Sequence, residues 1–102
     1  MSADNGIYLA KFKDGYRVAH AQSIDNCEYQ GRDSEIAKAF QVLYFGDCPV
    51  LSEKEAQKIA FEMEKEIMES DFPILEYGIS TIEFGHDFPT MTKEEAKKII
   101  RL

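Results

Sequence analysis

Apolar and polar residues alternate near the start of the chain, in the segment GIYLAKFKDGYRVAHAQ that spans residues 6–22. Alternation of this kind over two short runs predicts two β-strands, each with one face turned inward. Between the two runs, Asp14 and Gly15 are residues that tolerate a positive φ and that often form a tight turn. We therefore expect the two strands to pair as an antiparallel hairpin.

The spacing of apolar residues changes at Ser34, after a stretch at 23–33 that is rich in turn-forming residues. From there, apolar side chains recur at helical intervals, which predicts a helix over 34–45. The same stretch contains QVLYF at 41–45, whose β-branched and aromatic residues also favour a short buried strand. On the helical interpretation, the inward-facing residues are Ile36, Ala37, Phe40, Leu43 and Tyr44.

A second helix is predicted to begin shortly after Pro49, since proline cannot lie inside a helix. Ser52 and Glu55 have the spacing of a capping box, in which each side chain accepts a hydrogen bond from the backbone N–H group of the other residue. The turn-forming residues SDFP at 70–73 are expected to end this helix. Its inward-facing stripe consists of Ala56, Ile59, Ala60, Met63 and Ile67.

The last third of the chain predicts one more strand and one short helix. Residues 74–84, ILEYGISTIEF, favour a long strand. Its apolar positions change face near Gly78 or Ser80, which indicates a β-bulge or a strand buried on both faces. Thr92 and Glu95 repeat the capping-box spacing and so predict a helix start. The residues expected to face inward in that helix are Ala96, Ile99 and Ile100.

Together these elements predict an α+β fold with the order β-β-α-α-β-α, in a single domain over residues 1–102. We expect the strand at 74–84 to join an edge of the hairpin in an antiparallel three-stranded sheet, with two or three helices on one face. The other face would remain open, and exposed apolar surface often marks an interface with a second copy or another protein. The side chains expected on that open face are Tyr8, Phe12 and Tyr77.

The composition is that of a globular protein with an excess of negative charge. The 102 residues are 44% hydrophobic and 30% charged, and the formal net charge is −7. Binding to phosphates of nucleic acid or to anionic membranes requires clusters of Lys and Arg. We therefore expect no direct contact with nucleic acid or membrane, and a partner protein or nucleoprotein complex with a basic surface.

Two further features bear on where the protein works. No apolar run approaches the roughly 18 residues of a membrane span, and the first residues lack the basic start and apolar stretch of a secretion signal. A cytoplasmic location is therefore expected, and in that reducing compartment Cys27 and Cys48 would be free thiols.

No motif for catalysis, metal binding or cofactor binding stands out. Cys27, Cys48, His20 and His86 are scattered and lack the short spacings of zinc sites. The glycines are isolated turn residues, and the sequence contains no glycine-rich phosphate loop. We expect no metal, no cofactor and no enzymatic activity.

The helix within residues 53–71 carries the best candidate for a binding surface. Glu62, Glu66 and Glu69 recur at i, i+4 and i+7, which places three like charges on one face although such pairs slightly destabilise a helix. Phe61 and Met68 lie outside the core stripe, on a flank of that acidic face. The simpler interpretation is a solvated surface. The functional interpretation is a surface that binds a partner through apolar anchors and carboxylates.

Three stretches resemble small uncharacterised proteins encoded by tailed bacteriophages and prophages: DNGIYLAKFKDGYRVAHAQSIDN, YFGDCPVLSEKEA and LEYGISTIEF. The resemblance implies an accessory protein, similar in style to inhibitors of host defence such as anti-CRISPR proteins, which act by stoichiometric binding. It implies no particular functional residue. The 12 basic residues beside 19 acidic ones depart from the most charge-dense mimics of nucleic acid.

The leading hypothesis is therefore a non-enzymatic binding protein of the host cytoplasm that inhibits a host complex by protein–protein contact. A second hypothesis is an oligomeric sponge for a small ligand or nucleotide signal, held by aromatic stacking and a guanidinium. The sponge would use Tyr16, Arg17, His20 and Arg32, although the adjacent Tyr16 and Arg17 must point to opposite faces of their strand. A third hypothesis is a virion or structural accessory protein.

Overall fold

The computed structural model describes residues 5–73 and 75–101. The strands are β1 (Gly6–Phe12), β2 (Gly15–Ala21) and β3 (Ile79–Glu83), and the helices are α1 (Glu35–Phe45), α2 (Glu53–Met68) and α3 (Lys93–Ile100). A short 3₁₀ helix, Ile24–Glu28, lies between β2 and α1. The predicted α+β class is confirmed, and the order of elements differs from the prediction by this inserted 3₁₀ helix.

The predicted hairpin is confirmed. β1 and β2 pair antiparallel, with Phe12 opposite Gly15 and a two-residue loop between them. Gly15 has a φ of 141°, and a Cβ at this position would lie 2.6 Å from Cγ1 of Val50. Both the backbone conformation and the close approach therefore require glycine at the end of this turn.

The third strand corrects the prediction of an antiparallel sheet. β3 lies on the other side of β1 and runs parallel to it, so the sheet is mixed, with the strand order β2-β1-β3. The connection explains this direction. Leu51, between α1 and α2, pairs with Tyr16 at the beginning of β2, so α1 carries the chain back along the sheet and α2 returns it. The chain thus arrives beside the start of β1, where the N–H of Tyr77 donates to the carbonyl of Asn5.

The strand predicted over 74–84 is shorter in the structure. Glu76 and Tyr77 form a turn, Gly78 follows with a φ of 61°, and β3 begins at Ile79. The change of face in the apolar pattern therefore reflects a turn before the strand and not a bulge within it. Ile74, the first residue of the predicted strand, lies outside the described residues.

Helices cover both faces of the sheet, whereas the sequence predicted one open face. On one face, Ala56 and Ala60 of α2 pack against β1 and β2. On the other face, Tyr8 and Phe12 pack with Phe45 of α1. Tyr8 and Phe12 are only 4% and 3% exposed, so the prediction that they are exposed is wrong. Within the described part of the chain, the sheet has no open face through which the predicted homo-oligomer could form.

The sequence did contain a signal for this burial. Residues 6–10, GIYLA, are apolar at every position, which is typical of a strand covered on both faces, whereas a strand covered on one face alternates. Of the three side chains expected on the open face, Tyr77 is exposed, but it lies in the turn before β3 and not in the sheet.

The helical interpretation of 34–45 is confirmed. The Ser34 hydroxyl accepts a hydrogen bond from the N–H of Ala37 at 3.1 Å and caps α1. Two sides of α1 are buried because the sheet lies beneath it and Ala96 of α3 packs on its outer side. Of the residues predicted to face inward, Ala37 alone is among the fully buried residues of the helix. The fully buried residues of α1 are Ala37, Ala39, Gln41, Val42 and Phe45.

Both predicted capping boxes are present. The Ser52 hydroxyl accepts a hydrogen bond from the N–H of Glu55 at 3.2 Å, and the Glu55 carboxylate accepts one from the N–H of Ser52 at 3.0 Å. Thr92 and Glu95 form the same pair of bonds at the start of α3. The backbone donors hold the pKa values of Glu55 and Glu95 below their ordinary values.

Candidate functional site

The face of α2 that points away from the sheet is exposed to solvent. Ala56 and Ala60 set the orientation of the helix, because these small, fully buried residues face β1 and β2. The opposite side of the helix therefore presents its side chains outward. Among them, Phe61 is 63% exposed and Met68 is 57% exposed, which places both predicted apolar anchors at the surface.

The predicted partner-binding residues fall into two groups on this outer face. At about 100° of rotation per residue, Phe61 and Met68 lie roughly 20° apart around the helix axis. We call this pair the apolar strip. The three predicted carboxylates lie within about 60° of one another, and we call them the acidic strip. The acidic strip consists of Glu62, Glu66 and Glu69, all of which are exposed.

Lysines lie between these two strips, a position that the spacing of the carboxylates alone does not show. Lys54, Lys58 and Lys65 fall at rotations between the apolar strip and the acidic strip, and all three are exposed. The carboxylates therefore do not border the apolar anchors directly. The outer face of α2 is a row of apolar residues, a row of lysines and a row of glutamates, side by side.

Glu62, Glu66 and Glu69 of the acidic strip form no ion pair with another residue in the described part of the chain. The ion pairs among the described residues join Lys11 to Glu83, Arg17 to Asp14, Arg32 to Glu28 and Lys93 to Asp47. At the start of α2, by contrast, Glu53 accepts a hydrogen bond from the Tyr16 hydroxyl at 2.9 Å, and this carboxylate raises the pKa of Tyr16. Glu53 therefore helps to hold α2 on the sheet, whereas the acidic strip is free to contact a partner.

An exposed aromatic residue follows α2 and was missed by sequence reasoning. Phe72 lies four residues after Met68 and is 81% exposed. The signal that could have revealed it is its position between the end of the helix and Pro73, where no core stripe continues. Its presence extends the exposed apolar surface at the C-terminal end of α2.

The four residues of the alternative ligand site are not brought together. Tyr16 and His20 point to the face of the sheet that α2 covers, since they pair with Lys11 and Ile7 of β1. Arg17 points to the opposite face, as predicted from its adjacency to Tyr16. A depression of about 540 Å³ between the end of β2 and α1 is lined by His20 but by none of the other three.

The two arginines of that alternative site have internal partners. Arg17 is 6% exposed and donates two hydrogen bonds of 3.0 Å to Asp14; these bonds lower the pKa of the Asp14 carboxyl. Arg32 pairs with Glu28 at 3.2 Å and donates to the carbonyl of Glu83 at the end of β3. Since β2 and β3 are opposite edges of the sheet, Arg32 lies far from His20.

The thiols and imidazoles do not assemble into a reactive or metal-binding site. Burial raises the pKa of Cys27 to about 12 and also raises the pKa of Cys48. The two thiols are not bonded to each other, and the Cys48 thiol donates to the carbonyl of Val18 at 3.1 Å. Within residues 5–73 and 75–101, no three side chains of His, Cys, Asp or Glu lie close enough to share a metal ion.

The helices of the described ranges include none that combines the length and the apolar character needed to cross a membrane. Comparisons of the chain with models of protein families, with curated proteins and with solved structures found no match. The chemistry of the exposed surfaces is therefore the guide to function.

Proposed function

We propose that the protein is a non-enzymatic binding protein that inhibits a host complex by direct protein–protein contact through the outer face of α2. The observation that carries the proposal is the exposure of Phe61 and Met68, each by more than half, on the same outer face as three glutamates that form no ion pair with a described residue. Contact between apolar side chains and water is unfavourable in free energy, and a partner that covers these side chains removes that cost. The likeness to phage accessory proteins suggests the setting, the cytoplasm of a host cell.

The three rows on α2 define the chemistry of the partner. A helix with its side chains is about 10 Å across, so the apolar strip and the acidic strip reach a partner at points separated by about that distance. A fitting surface has an apolar pocket for Phe61 and Met68 and, beside it, Lys or Arg side chains that face the acidic strip. The net charge of −7 attracts such a surface from a distance.

The state of the nucleophiles supports binding rather than catalysis. A cysteine attacks a substrate as the thiolate, and a pKa of about 12 keeps Cys27 protonated at neutral pH. Cys48 is half-buried, and its thiol already donates to a carbonyl. Neither thiol has the lowered pKa that marks an activated nucleophile.

The experiment is affinity capture from a lysate of the natural host, with identification of the captured protein by mass spectrometry. We expect the wild type to retain a protein with a basic surface. A Phe61→Ser and Met68→Ser variant tests the apolar strip, and a Glu62→Gln, Glu66→Gln and Glu69→Gln variant tests the acidic strip. Both variants are expected to lose the captured protein.

A matched control separates the acidic strip from net charge alone. Three exposed carboxylates elsewhere, Glu35, Asp87 and Glu94, are replaced by the corresponding amides, which changes the net charge by the same amount. The control is expected to capture the partner as the wild type does. Equal loss in the control and in the acidic-strip variant would show that the strip is not a site, and so would capture unchanged by either α2 variant.

The lysine row offers a test of opposite sign. Lys58 and Lys65 lie beside the acidic strip, so they repel the basic surface that the strip attracts. Lys58→Gln with Lys65→Gln is therefore expected to strengthen capture, whereas the acidic-strip variant weakens it. Weaker capture after the lysine substitutions would mean that the partner's surface is acidic, which contradicts the proposed charge complementarity.

A further inference from the structure

The outer edge of β3 is an open strand edge. Within residues 5–73 and 75–101, β3 is an outer strand of the sheet, because it pairs with β1 alone in the order β2-β1-β3. The N–H of Ile7 donates to the carbonyl of Gly78, and the N–H of Phe84 donates to the carbonyl of Lys11. In a parallel pair, alternate residues of a strand bond the same neighbour. The backbone N–H and C=O groups that point towards β1 are therefore those of Gly78, Ser80, Ile82 and Phe84.

It follows that the backbone groups of Ile79, Thr81 and Glu83 point away from the sheet. Of these groups, the carbonyl of Glu83 accepts a hydrogen bond from the Arg32 side chain. The other outward N–H and C=O groups of β3 make no backbone hydrogen bond to a residue of the described ranges. A row of such groups is a template for an additional strand.

A depression lies beside this edge, on the face of the sheet that carries α1. Its volume is about 310 Å³, and the residues that line it are Tyr8, Ile24, Asp25, Tyr77 and Ser80. Side chains of a strand alternate between the two faces of a sheet. A strand added to β3 would therefore place every second side chain over this depression.

The charges around the depression indicate what such a strand would carry. Asp25 and Glu76 are exposed, and neither forms an ion pair with a described residue. The nearby acids Glu28 and Glu83 are already paired with Arg32 and Lys11. The uncompensated charge beside the depression is thus negative, which favours Lys or Arg on the incoming segment.

We propose that the open edge of β3 is a second binding site, which takes an extended segment of a partner protein as an added β-strand. One apolar side chain of that segment enters the depression beside Tyr8 and Ile24, and a neighbouring Lys or Arg reaches Asp25. Main-chain hydrogen bonds to Ile79 and Thr81 supply the affinity, and the depression supplies the selection of side chains. Arg32 limits the site by covering the carbonyl at the end of β3.

A basic segment fits this edge better than a second copy of the chain. Two copies paired through β3 would bring together two molecules of net charge −7, with Asp25 and Glu76 of each near the contact. Repulsion of like charges opposes that arrangement. The site also lies on a different element from the outer face of α2, so it does not depend on the function proposed above.

The experiment is a selection of random twelve-residue peptides displayed on phage, with the wild-type protein as the bait. The selected peptides are then tested for binding to a Thr81→Pro variant. Proline lacks the N–H group that Thr81 points outward, and proline is tolerated in edge strands at such positions. Thr81→Val is the matched control, because it keeps the N–H group and the size of the side chain.

We expect the selected peptides to alternate apolar residues with Lys or Arg and to bind Thr81→Val as they bind the wild type. Thr81→Pro is expected to weaken binding by about tenfold or more. Asp25→Lys leaves the strand intact and is expected to remove the preference for basic peptides, so it tests the site even if Thr81→Pro fails to fold. Hydrogen exchange of the Ile79, Thr81 and Glu83 amides is expected to slow when a selected peptide is bound.

Several results would overturn this proposal. One is a selection that enriches no peptide on the wild type. Another is a set of peptides that binds the wild type and both the Thr81→Pro and Asp25→Lys variants equally. A third is a concentrated sample of the wild type that dimerises while Thr81→Pro stays monomeric, since the edge would then serve a second copy.

Discussion

The guanidinium carbon of Arg17 lies 3.9 Å from the centroid of the Phe88 ring, while two of its nitrogens donate to both carboxylate oxygens of Asp14 at 3.0 Å. Phe12 lies on the same side, with its ring centroid 5.3 Å from the guanidinium. The charged guanidinium of Arg17 is thus held between the aromatic rings of Phe12 and Phe88 and the carboxylate of Asp14. Arg17 joins the hairpin to the segment that precedes α3, which is a structural role.

Replacement of Arg17 by methionine is expected to lower the free energy of unfolding by about 2 kcal/mol, because the ion pair and the cation–π contacts are lost while the apolar stem is kept. Urea denaturation measures this change. Lys11→Met is the control, because the exposed Lys11–Glu83 pair at 3.6 Å is worth less than about 1 kcal/mol. Equal losses in the two variants would contradict the role assigned to Arg17.

The ion pair between Arg17 and Asp14 predicts a pH dependence of stability. Hydrogen bonds from Arg17 hold the pKa of Asp14 below its usual value of 3.8. A carboxyl with a lowered pKa in the folded state stabilises the fold above its unfolded pKa, and that contribution disappears as the pH falls through the lowered value. Wild type and Asp14→Asn should therefore differ in stability at about pH 6, and the difference should shrink as the pH falls below 3.8. A difference that is constant across this range would argue against the prediction.

Gln41 is expected to be important for stability although it is polar and lies on a helix. It is fully buried, and its Nε2 donates to the carbonyls of Cys27 at 3.0 Å and Arg32 at 2.8 Å. Gln41→Leu removes both bonds and is expected to cost about 2 kcal/mol. Gln57→Leu on the exposed side of α2 is the control and should change stability by less than about 0.5 kcal/mol. Thermal and urea unfolding of the two variants measure the difference.

Removal of the cap of α2 is expected to have a smaller but measurable effect. Ser52→Ala deletes the hydroxyl that accepts the N–H of Glu55, and such a loss typically costs about 1 kcal/mol. Thr90→Ala is the comparison, because Thr90 is exposed and precedes the cap of α3. If the two variants are equally stable in urea, the Ser52 bond contributes nothing in solution.

The two thiols are expected to differ in reactivity. Cys27 is fully buried with a pKa of about 12, whereas Cys48 is half-buried. Iodoacetamide at neutral pH should label Cys48 slowly and leave Cys27 unmodified until denaturant is added, because the thiolate is the reacting form. Peptide mapping by mass spectrometry measures both rates. Labelling of Cys27 in the native protein at the rate of Cys48 would contradict its burial.

The parts of the fold that sequence analysis predicted correctly depend on neighbouring residues. The hairpin follows from alternation around Asp14 and Gly15, and the starts of α2 and α3 follow from pairs of residues three positions apart. Each of these features is decided by hydrogen bonds and steric limits within a few residues of the chain. Local pattern therefore contains the information needed to predict them.

The direction of β3 and the covering of both sheet faces depend on residues far apart in sequence. Ile7 pairs with Ile79, and periodicity within either strand does not state which partner it takes or in which direction. Alternation along β1 places Tyr8 and Phe12 on one face of the strand but does not show what covers that face. Phe12 is covered by the rings of Phe84 and Phe88, and Tyr8 belongs to the same cluster as Ile24 and Phe45.

The candidate surface on α2 was predicted in part. The exposure of Phe61 and Met68 follows from their absence from the core stripe, and the structure has both at the surface. The sequence shows that Lys58 and Lys65 offset part of the repulsion among the glutamates, but the lysine row between the strips becomes evident only when every residue is placed around the helix axis. Phe72 was missed because its segment was interpreted only as the end of α2.

The parallel pairing of β1 with β3 has a consequence for how the chain is made. During synthesis, the hairpin can form once Ala21 has left the ribosome, but β1 lacks its second neighbour until Glu83 has been added. The central strand therefore keeps one edge unpaired while the segment between β2 and β3, which includes α1 and α2, is synthesised. Completion of the sheet depends on this long-range pairing and is expected to be slow. A nascent chain stalled before Ile79 is expected to be degraded by proteases.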